Sequence, residues 1–248
     1  MAEAKDLQKL LFDYIATSET LDLASVARLR KLIDMDQWCS MLDKLSRNGR
    51  KVTHWVGFTG NGEALKFIMD SVPPNRRLGI LKIRDNLDRT IVHWAAINGQ
   101  ADIIECILNY LPEPGQQCEL LSIQDTLHRT SIHYAACMNN ADTITNMLQH
   151  LTSTQWFNLL KIPTRGGVTA LSWSNYSEIC EEIIECMLEP LLEEQQLALL
   201  RITNKENRTA LEEAVNCKNI LAVQCMQKYK NSAEEAVNED MIAGQHLD

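Results

Sequence analysis

Apolar positions along this chain follow helical spacing in short stretches that recur at a nearly constant distance. Residues 101–111 place their apolar side chains at the i, i+1, i+4, i+5 and i+8 positions of an amphipathic helix. These side chains are Ile103, Ile104, Ile107, Leu108 and Leu111. The pattern predicts helices in this stretch and in its counterparts at 63–72, 141–151, 181–191 and 219–229.

Two independent landmarks keep one period along the chain. His54, His93, His133, Ser172 and Glu212 follow one another at spacings of 39, 40, 39 and 40 residues. A Leu-x-Ile motif precedes each of the last four, at 81–83, 121–123, 160–162 and 200–202. Because both landmarks hold the same spacing, the sequence indicates a repeat protein.

Each unit contains signals for more than one helix. Thr90 is suited to cap a short first helix, and Gly99 permits a tight turn before the second helix. Thr152 followed by Gln155 forms a capping-box pattern, which predicts a short third helix within 152–162. A turn such as RDNLDRT at 84–90 then leads into the next unit.

These residues resemble the ankyrin repeat. The shared features are T-x-x-H-[W/Y]-A-A, a glycine, an I-I-x-x-[I/L]-L helix and a D-x-x-x-R-T turn. The resemblance is clearest at 85–111 and 125–151, and it weakens at 42–72, 165–191 and 207–229. It implies an all-α solenoid with finger-like turns, lengthened from the usual unit of about 33 residues by an extra short helix.

The resemblance and the helical spacing together predict three regions. Residues 1–34 are expected to form an N-terminal helical cap, a degenerate repeat with helical stretches at 7–16 and 23–33. Residues 35–230 are expected to hold an array of about five units, and residues 231–248 an acidic C-terminal tail.

Composition bears on where the protein works. The eight cysteines form no C-x-x-C pair, there is no apolar run of about 18 residues, and the first residues do not read as a signal peptide. We therefore expect a cytoplasmic protein without a membrane partner. We expect it to be a monomer.

Charge divides the chain unevenly. Residues 1–100 carry 15 basic and 12 acidic side chains, whereas 101–248 carry 9 and 21. The acidic half would repel a phosphate backbone, which argues against nucleic acid as a partner. Its charge suits a protein with a basic surface.

Candidate chemistry is sparse. His54, His93 and His133 share one repeat position and would lie about 10 Å apart in a stack, too far to share a metal. The glycine-rich GFTGNG at 57–62 lacks the Gly-Lys-Ser/Thr ending of a phosphate loop. We predict no catalytic residue, cofactor or metal, with an unrecognised enzyme site as a minor alternative.

An aromatic residue follows the histidine position in four successive units, at Trp55, Trp94, Tyr134 and Trp173. Two interpretations stay open. The rings pack between neighbouring units, or their exposed edges bind a partner, since tryptophan and tyrosine are enriched in interface hot spots.

The resemblance also implies binding through the turn tips and the ends of the inner helices. By position, the tip residues are Asn86, Asp88, Thr126, His128, Arg165, Lys205 and Glu206. The inner-helix residues are Ile97, Asn98, Met138 and Asn139.

The predicted function is a non-enzymatic interaction module that binds another protein through its concave face. One version is a cytosolic adaptor or inhibitor of signalling. The other is a secreted effector of a symbiont, pathogen or phage that acts on host signalling by the same binding mode.

Overall fold

The computed structural model describes residues 27, 30–44 and 49–244, with side chains through residue 236. The helical stretch predicted at 7–16 lies outside the described residues, as does most of the stretch at 23–33. Within the described part of the chain, no helix is both long and apolar enough to cross a membrane.

The described residues form fifteen α-helices and no β-strand, which confirms the predicted all-α fold. In chain order the helices are α1 Met35–Leu42, α2 Val52–Thr59, α3 Gly62–Asp70, α4 Pro74–Leu81, α5 Ile91–Ile97, α6 Ala101–Asn109, α7 Pro114–Leu121, α8 Ser131–Cys137, α9 Ala141–Leu148, α10 Ser153–Leu160, α11 Ala170–Trp173, α12 Cys180–Leu188, α13 Glu193–Leu200, α14 Ala210–Asn216 and α15 Ile220–Gly244.

The helices group into repeat units of three. Units one to four begin with α2, α5, α8 and α11, and unit five consists of α14 and α15. The predicted third helix is confirmed at α10, where the Thr152 amide donates to Gln155 Oε1 at 2.9 Å and the Gln155 amide donates to Thr152 Oγ1 at 3.3 Å. Units one, two and four carry the same third helix, and in units one and two it starts with a proline, which is well suited to the first helical turn.

Units stack helix upon like helix. First helices pack against first helices from α2 through α14, and second helices pack against second helices from α3 through α15. The apolar side chains predicted on α6 and just beyond it are all buried in this continuous core. The amphipathic spacing in the sequence therefore corresponds to burial between neighbouring units.

Unit four departs from the pattern at its first helix. Helix α11 ends after Trp173 and continues as a 3₁₀ turn over Ser174–Tyr176. The Ser174 hydroxyl donates to the Leu171 carbonyl oxygen at 2.7 Å, and Asn175 Nδ2 donates to the Ala210 carbonyl oxygen at 3.0 Å. These side chains bond to the backbone and thereby compete with α-helical hydrogen bonds.

Helix α15 differs from the other second helices because it continues well past the end of its unit. It passes residue 231, where the sequence predicts the start of a tail, and it packs against α13. Ala233 is fully buried, and Glu234 lies 3.6 Å from Arg201 at the end of α13. The extension thus occupies the side of unit four that a further third helix would cover. The boundary at residue 231 between the repeat array and a C-terminal tail stays a prediction.

Candidate functional site

In units two, three and five, an acidic or amide side chain closes the turn before the first helix, and the Thr164 hydroxyl takes this position in unit four. Asp85 Oδ1 accepts from the amides of Leu87 at 2.8 Å and Arg89 at 2.9 Å. Asp125 makes the same two bonds in unit three, and Asn204 makes them in unit five. Each turn therefore has a defined shape that does not depend on a partner.

A left-handed residue sits at one register of every described turn. It is Gly49, Asp88, His128, Gly167 and Asn207, with φ between 57° and 79°. Aspartate, asparagine and histidine tolerate this region better than most residues, which explains why the position is polar where it is not glycine.

Backbone hydrogen bonds join the turns to one another. The Thr126 amide donates to the Leu87 oxygen at 3.0 Å, the Arg165 amide to the Leu127 oxygen at 3.0 Å, and the Lys205 amide to the Gly166 oxygen at 3.1 Å. We call residues 86–88, 126–128, 165–166 and 205–206 the turn-tip row. The row is continuous across units two to five.

All seven predicted tip residues are exposed on this row: Asn86, Asp88, Thr126, His128, Arg165, Lys205 and Glu206. The row also presents two leucines that sequence reasoning missed. Leu87 and Leu127 are each 45% exposed, although both are large apolar residues. Their signal was present in RDNLDR and QDTLHR, where leucine recurs in register inside an otherwise polar turn.

The predicted inner-helix residues lie away from the row, at the far end of the first helices about 10 Å along each axis. Met138 is 47% exposed there, and Asn139 Oδ1 accepts from the Ser177 hydroxyl at 2.7 Å. Asn98 Nδ2 donates to a carbonyl oxygen of its own helix, and Ile97 packs partly against the core. The structure does not bring these four residues together with the tips.

The aromatic positions differ in exposure. Trp94 and Tyr134 are buried, at 5% and 6% exposure, whereas Trp55 and Trp173 are partly exposed. Trp173 meets the His133 ring edge-on, with centroids 6.1 Å apart. Most of the surface of these four aromatic side chains is therefore buried by packing within the array.

The buried rings are held by the turn carboxylates. Trp94 Nε1 donates to Asp85 Oδ2 at 3.1 Å, and Arg89 Nε donates to the same oxygen at 2.9 Å. Tyr134 and Arg129 share Asp125 Oδ2 in the same way, at 2.7 Å and 2.9 Å. In both units the guanidinium also lies over the ring, a cation–π contact.

Opposing influences act on the pKa of Asp85. Burial alone would raise the pKa, but hydrogen bonds from the Arg89 and Leu87 amides and the Arg89 guanidinium outweigh it, so the pKa lies below its usual value. The pKa of Asp125 is lowered against burial in the same way, by the Arg129 amide and then Tyr134. Both groups are carboxylates at neutral pH.

In unit five the acidic side chain of this network lies on the first helix and not in the turn. Asn204 stands in register with Asp85, and Glu213 stands in register with Trp94. Glu213 Oε1 accepts from Asn204 Nδ2 at 2.7 Å and from Arg208 Nε at 3.1 Å. The acid has moved from the turn to the helix while the arginine keeps its place.

The repeated histidines cap helices and tie units together. His93 Nδ1 accepts from the Thr90 amide at 3.1 Å, which places the ring proton on Nε2, and Nε2 donates to the Arg129 oxygen of the next unit at 3.2 Å. His54 and His133 make corresponding bonds. Burial lowers the pKa of all three to about 4, so they are neutral at physiological pH.

Comparison with known proteins identifies one protein family that matches this sequence. A family model described as ankyrin repeats, in three copies, matches residues 24–155, just over half of the chain. No curated protein matches the sequence.

Proposed function

Because the chain belongs to the ankyrin-repeat family, a family of protein–protein interaction modules, we propose that its turn-tip row docks a segment of another protein. The proposed role is that of a cytoplasmic adaptor or inhibitor of signalling, with no catalytic step. A partner with a basic surface fits best along units three to five, which lie in the acidic part of the chain.

The observation that carries this proposal is the exposure of two leucines on a rigid, continuous row. Leu87 and Leu127 belong to turns that are closed by Asp85 and Asp125 and joined by the bond from the Thr126 amide to the Leu87 oxygen. A surface that is ordered before binding loses little entropy when a partner docks. Burying the exposed half of each leucine would contribute about 1 kcal/mol per side chain.

The polar tip residues supply selectivity around the leucines. Asn86, Asp88, Thr126 and His128 flank them, and Arg165 continues the row into unit four. Their side chains differ from unit to unit, so the row presents a sequence of donors, acceptors and charges to one partner. Trp55 and Trp173, the two partly exposed rings, are included in the proposed surface.

The test is partner capture from the native cell with paired variants. Leu87→Ser with Leu127→Ser removes both apolar tips, and Leu192→Ser with Leu221→Ser removes two leucines of similar exposure, 62% and 48%, that lie outside the row. We expect the tip pair to lose a specifically captured protein, with affinity reduced about tenfold or more. The control pair should retain it, and circular dichroism should show both variants folded.

Equal capture by the tip pair and the control pair would overturn the proposal. Loss in both pairs would do the same, because binding would then depend on general surface apolarity and not on the turn-tip row.

A further inference from the structure

Unit one keeps the donors of the carboxylate network but not its acceptor. Arg50 stands 39 residues before Arg89, and Trp55 stands 39 residues before Trp94. At the same distance before Asp85 the chain has Ser46. The sequence of unit one therefore supplies the guanidinium and the indole without the turn carboxylate.

Neither donor bonds to an acceptor within the part of the chain that the structure describes. Trp55 Nε1 is buried and has no hydrogen-bond partner there, whereas Trp94 Nε1 bonds to Asp85. Among the described residues Arg50 forms no ion pair, whereas Arg89 lies 2.8 Å from its aspartate. A buried N–H without an acceptor is costly, so the missing partner matters energetically.

Arg50 rests on aromatic rings in place of a carboxylate. Its guanidinium carbon lies 3.9 Å from the ring centroid of Trp94, 4.8 Å from that of Phe58 and 5.1 Å from that of Trp55. We call these four residues the Arg50 nest. Its side chains are half-buried except Trp94, which is buried, so the guanidinium stays within reach of a docking segment.

The electrostatic setting favours an anion at the Arg50 nest. Burial and then repulsion by Arg89 lower the pKa of Arg50, against a smaller opposing influence of Asp85. Arg89 already forms an ion pair with Asp85. Its neighbour Arg50 is therefore the guanidinium whose charge no carboxylate neutralises among the described residues. A carboxylate here would form charge-assisted hydrogen bonds, the stronger class in proteins.

We propose that the Arg50 nest receives the side-chain carboxylate of an aspartate or glutamate in the partner segment. The carboxylate accepts from the Arg50 guanidinium and from Trp55 Nε1, as Asp85 accepts from Arg89 and Trp94. This inference rests on the proposed function, because it assigns a contact to one end of the same binding surface. A planar carboxylate is favoured because one such oxygen takes both donors in units two and three, at 2.7–3.1 Å.

Two variants of the full chain test the site from opposite directions. Arg50→Gln removes the cation, and Ser46→Asp places a carboxylate at the sequence position that corresponds to Asp85 and Asp125. Lys66→Gln is the matched control, since Lys66 is an exposed cation of the same unit on its second helix. Circular dichroism and thermal melting establish that each variant folds.

The probe is a phage-displayed library of random dodecapeptides, selected on the wild-type chain. We expect the enriched peptides to share an acidic residue. Its change to the matching amide should weaken binding about tenfold on the wild type and hardly at all on Arg50→Gln or Ser46→Asp. Lys66→Gln should behave like the wild type.

The failures of the two proposals are distinguishable. If enriched peptides need no acidic residue but lose binding to the Leu87→Ser, Leu127→Ser pair, the carboxylate site is refuted and the proposed function stands. If no peptide binds, or if peptides bind the Leu87→Ser, Leu127→Ser variant as tightly as the wild type, the turn-tip row is not the binding surface. A change of the acidic residue to its amide that weakens binding as much on Arg50→Gln as on the wild type would also refute the carboxylate site.

Discussion

Mild acid should destabilise this protein through its three buried histidines. Each of His54, His93 and His133 has a pKa of about 4 in the folded chain and an ordinary value of 6.5. A base with a depressed pKa binds fewer protons when folded than when unfolded. Its contribution to stability is therefore complete above pH 6.5 and is lost as the pH falls towards 4.

The magnitude follows from linkage. At pH 5.5 an unfolded histidine is about nine-tenths protonated, whereas the buried ring stays neutral. The free energy of unfolding then falls by about 1.4 kcal/mol per histidine, or about 4 kcal/mol for three, relative to neutral pH. Asp85 and Asp125 do not share this window, because their pKa values lie below the usual 3.8.

The assay is urea unfolding followed by circular dichroism at pH 7.5 and 5.5, for the wild type and His93→Gln. Glutamine does not titrate, and Gln155 shows that it accepts the same capping bond in this chain. The variant is expected to be less stable at pH 7.5, since it lacks the bond to the Arg129 oxygen. The decisive quantity is the change in the variant's free energy of unfolding between pH 7.5 and pH 5.5. This change should be smaller than that of the wild type by about 1.4 kcal/mol.

An unchanged pH difference in His93→Gln would refute the reasoning, because the destabilisation would then arise elsewhere. Greater stability at pH 5.5 than at pH 7.5 in the wild type would refute it as well, since it has the opposite sign.

Three further predictions concern packing. Gly57→Ala should lower the melting temperature despite the better helix propensity of alanine, because its Cβ would lie 2.5 Å from the Ile91 oxygen; a higher melting temperature would contradict this. Trp94→Phe replaces the buried indole by a smaller aromatic ring and removes the N–H that donates to Asp85, so urea unfolding should show a loss of about 1 kcal/mol or more, and no loss would argue against a stabilising bond. Ala233→Asp would bury a carboxylate beside the third helix of unit four and should cost about 2 kcal/mol or more, and a neutral result would show that this part of the last helix is dispensable.

The helices were predictable because their signals are local. The spacing of Ile103, Ile104 and Ile107 predicted a helix that the structure shows at Ala101–Asn109, and Thr152 with Gln155 predicted the third helix of unit three. The 3₁₀ turn of unit four was not predictable from spacing. It depends on Ser174 bonding back to its own helix and on Asn175 reaching a carbonyl oxygen of the next unit.

The surface was harder to predict because exposure depends on side-chain contacts and turn geometry that the spacing of apolar residues does not show. Trp94 looks like a candidate hot spot until Asp85, nine residues earlier, is seen to hold its indole nitrogen. Leu87 looks like a core residue until the turn places it outward at 45% exposure. The polar tips were easier to predict, because most of the tip residues are polar or charged and side chains of this kind are mostly exposed in folded proteins.

The reversed polarity of unit five restricts how this array can be re-engineered. A chimera that joins the turn of unit two to the first helix of unit five would set Asp85 against Glu213, so two carboxylates would compete for one guanidinium. The reciprocal chimera would pair Asn204 with Trp94 and separate Arg208 from Glu213, leaving the turn residue Glu206 as its counter-charge. Repeat units exchanged between such arrays should therefore be joined before the turn, so that each turn is transferred together with the first helix whose side chains it contacts.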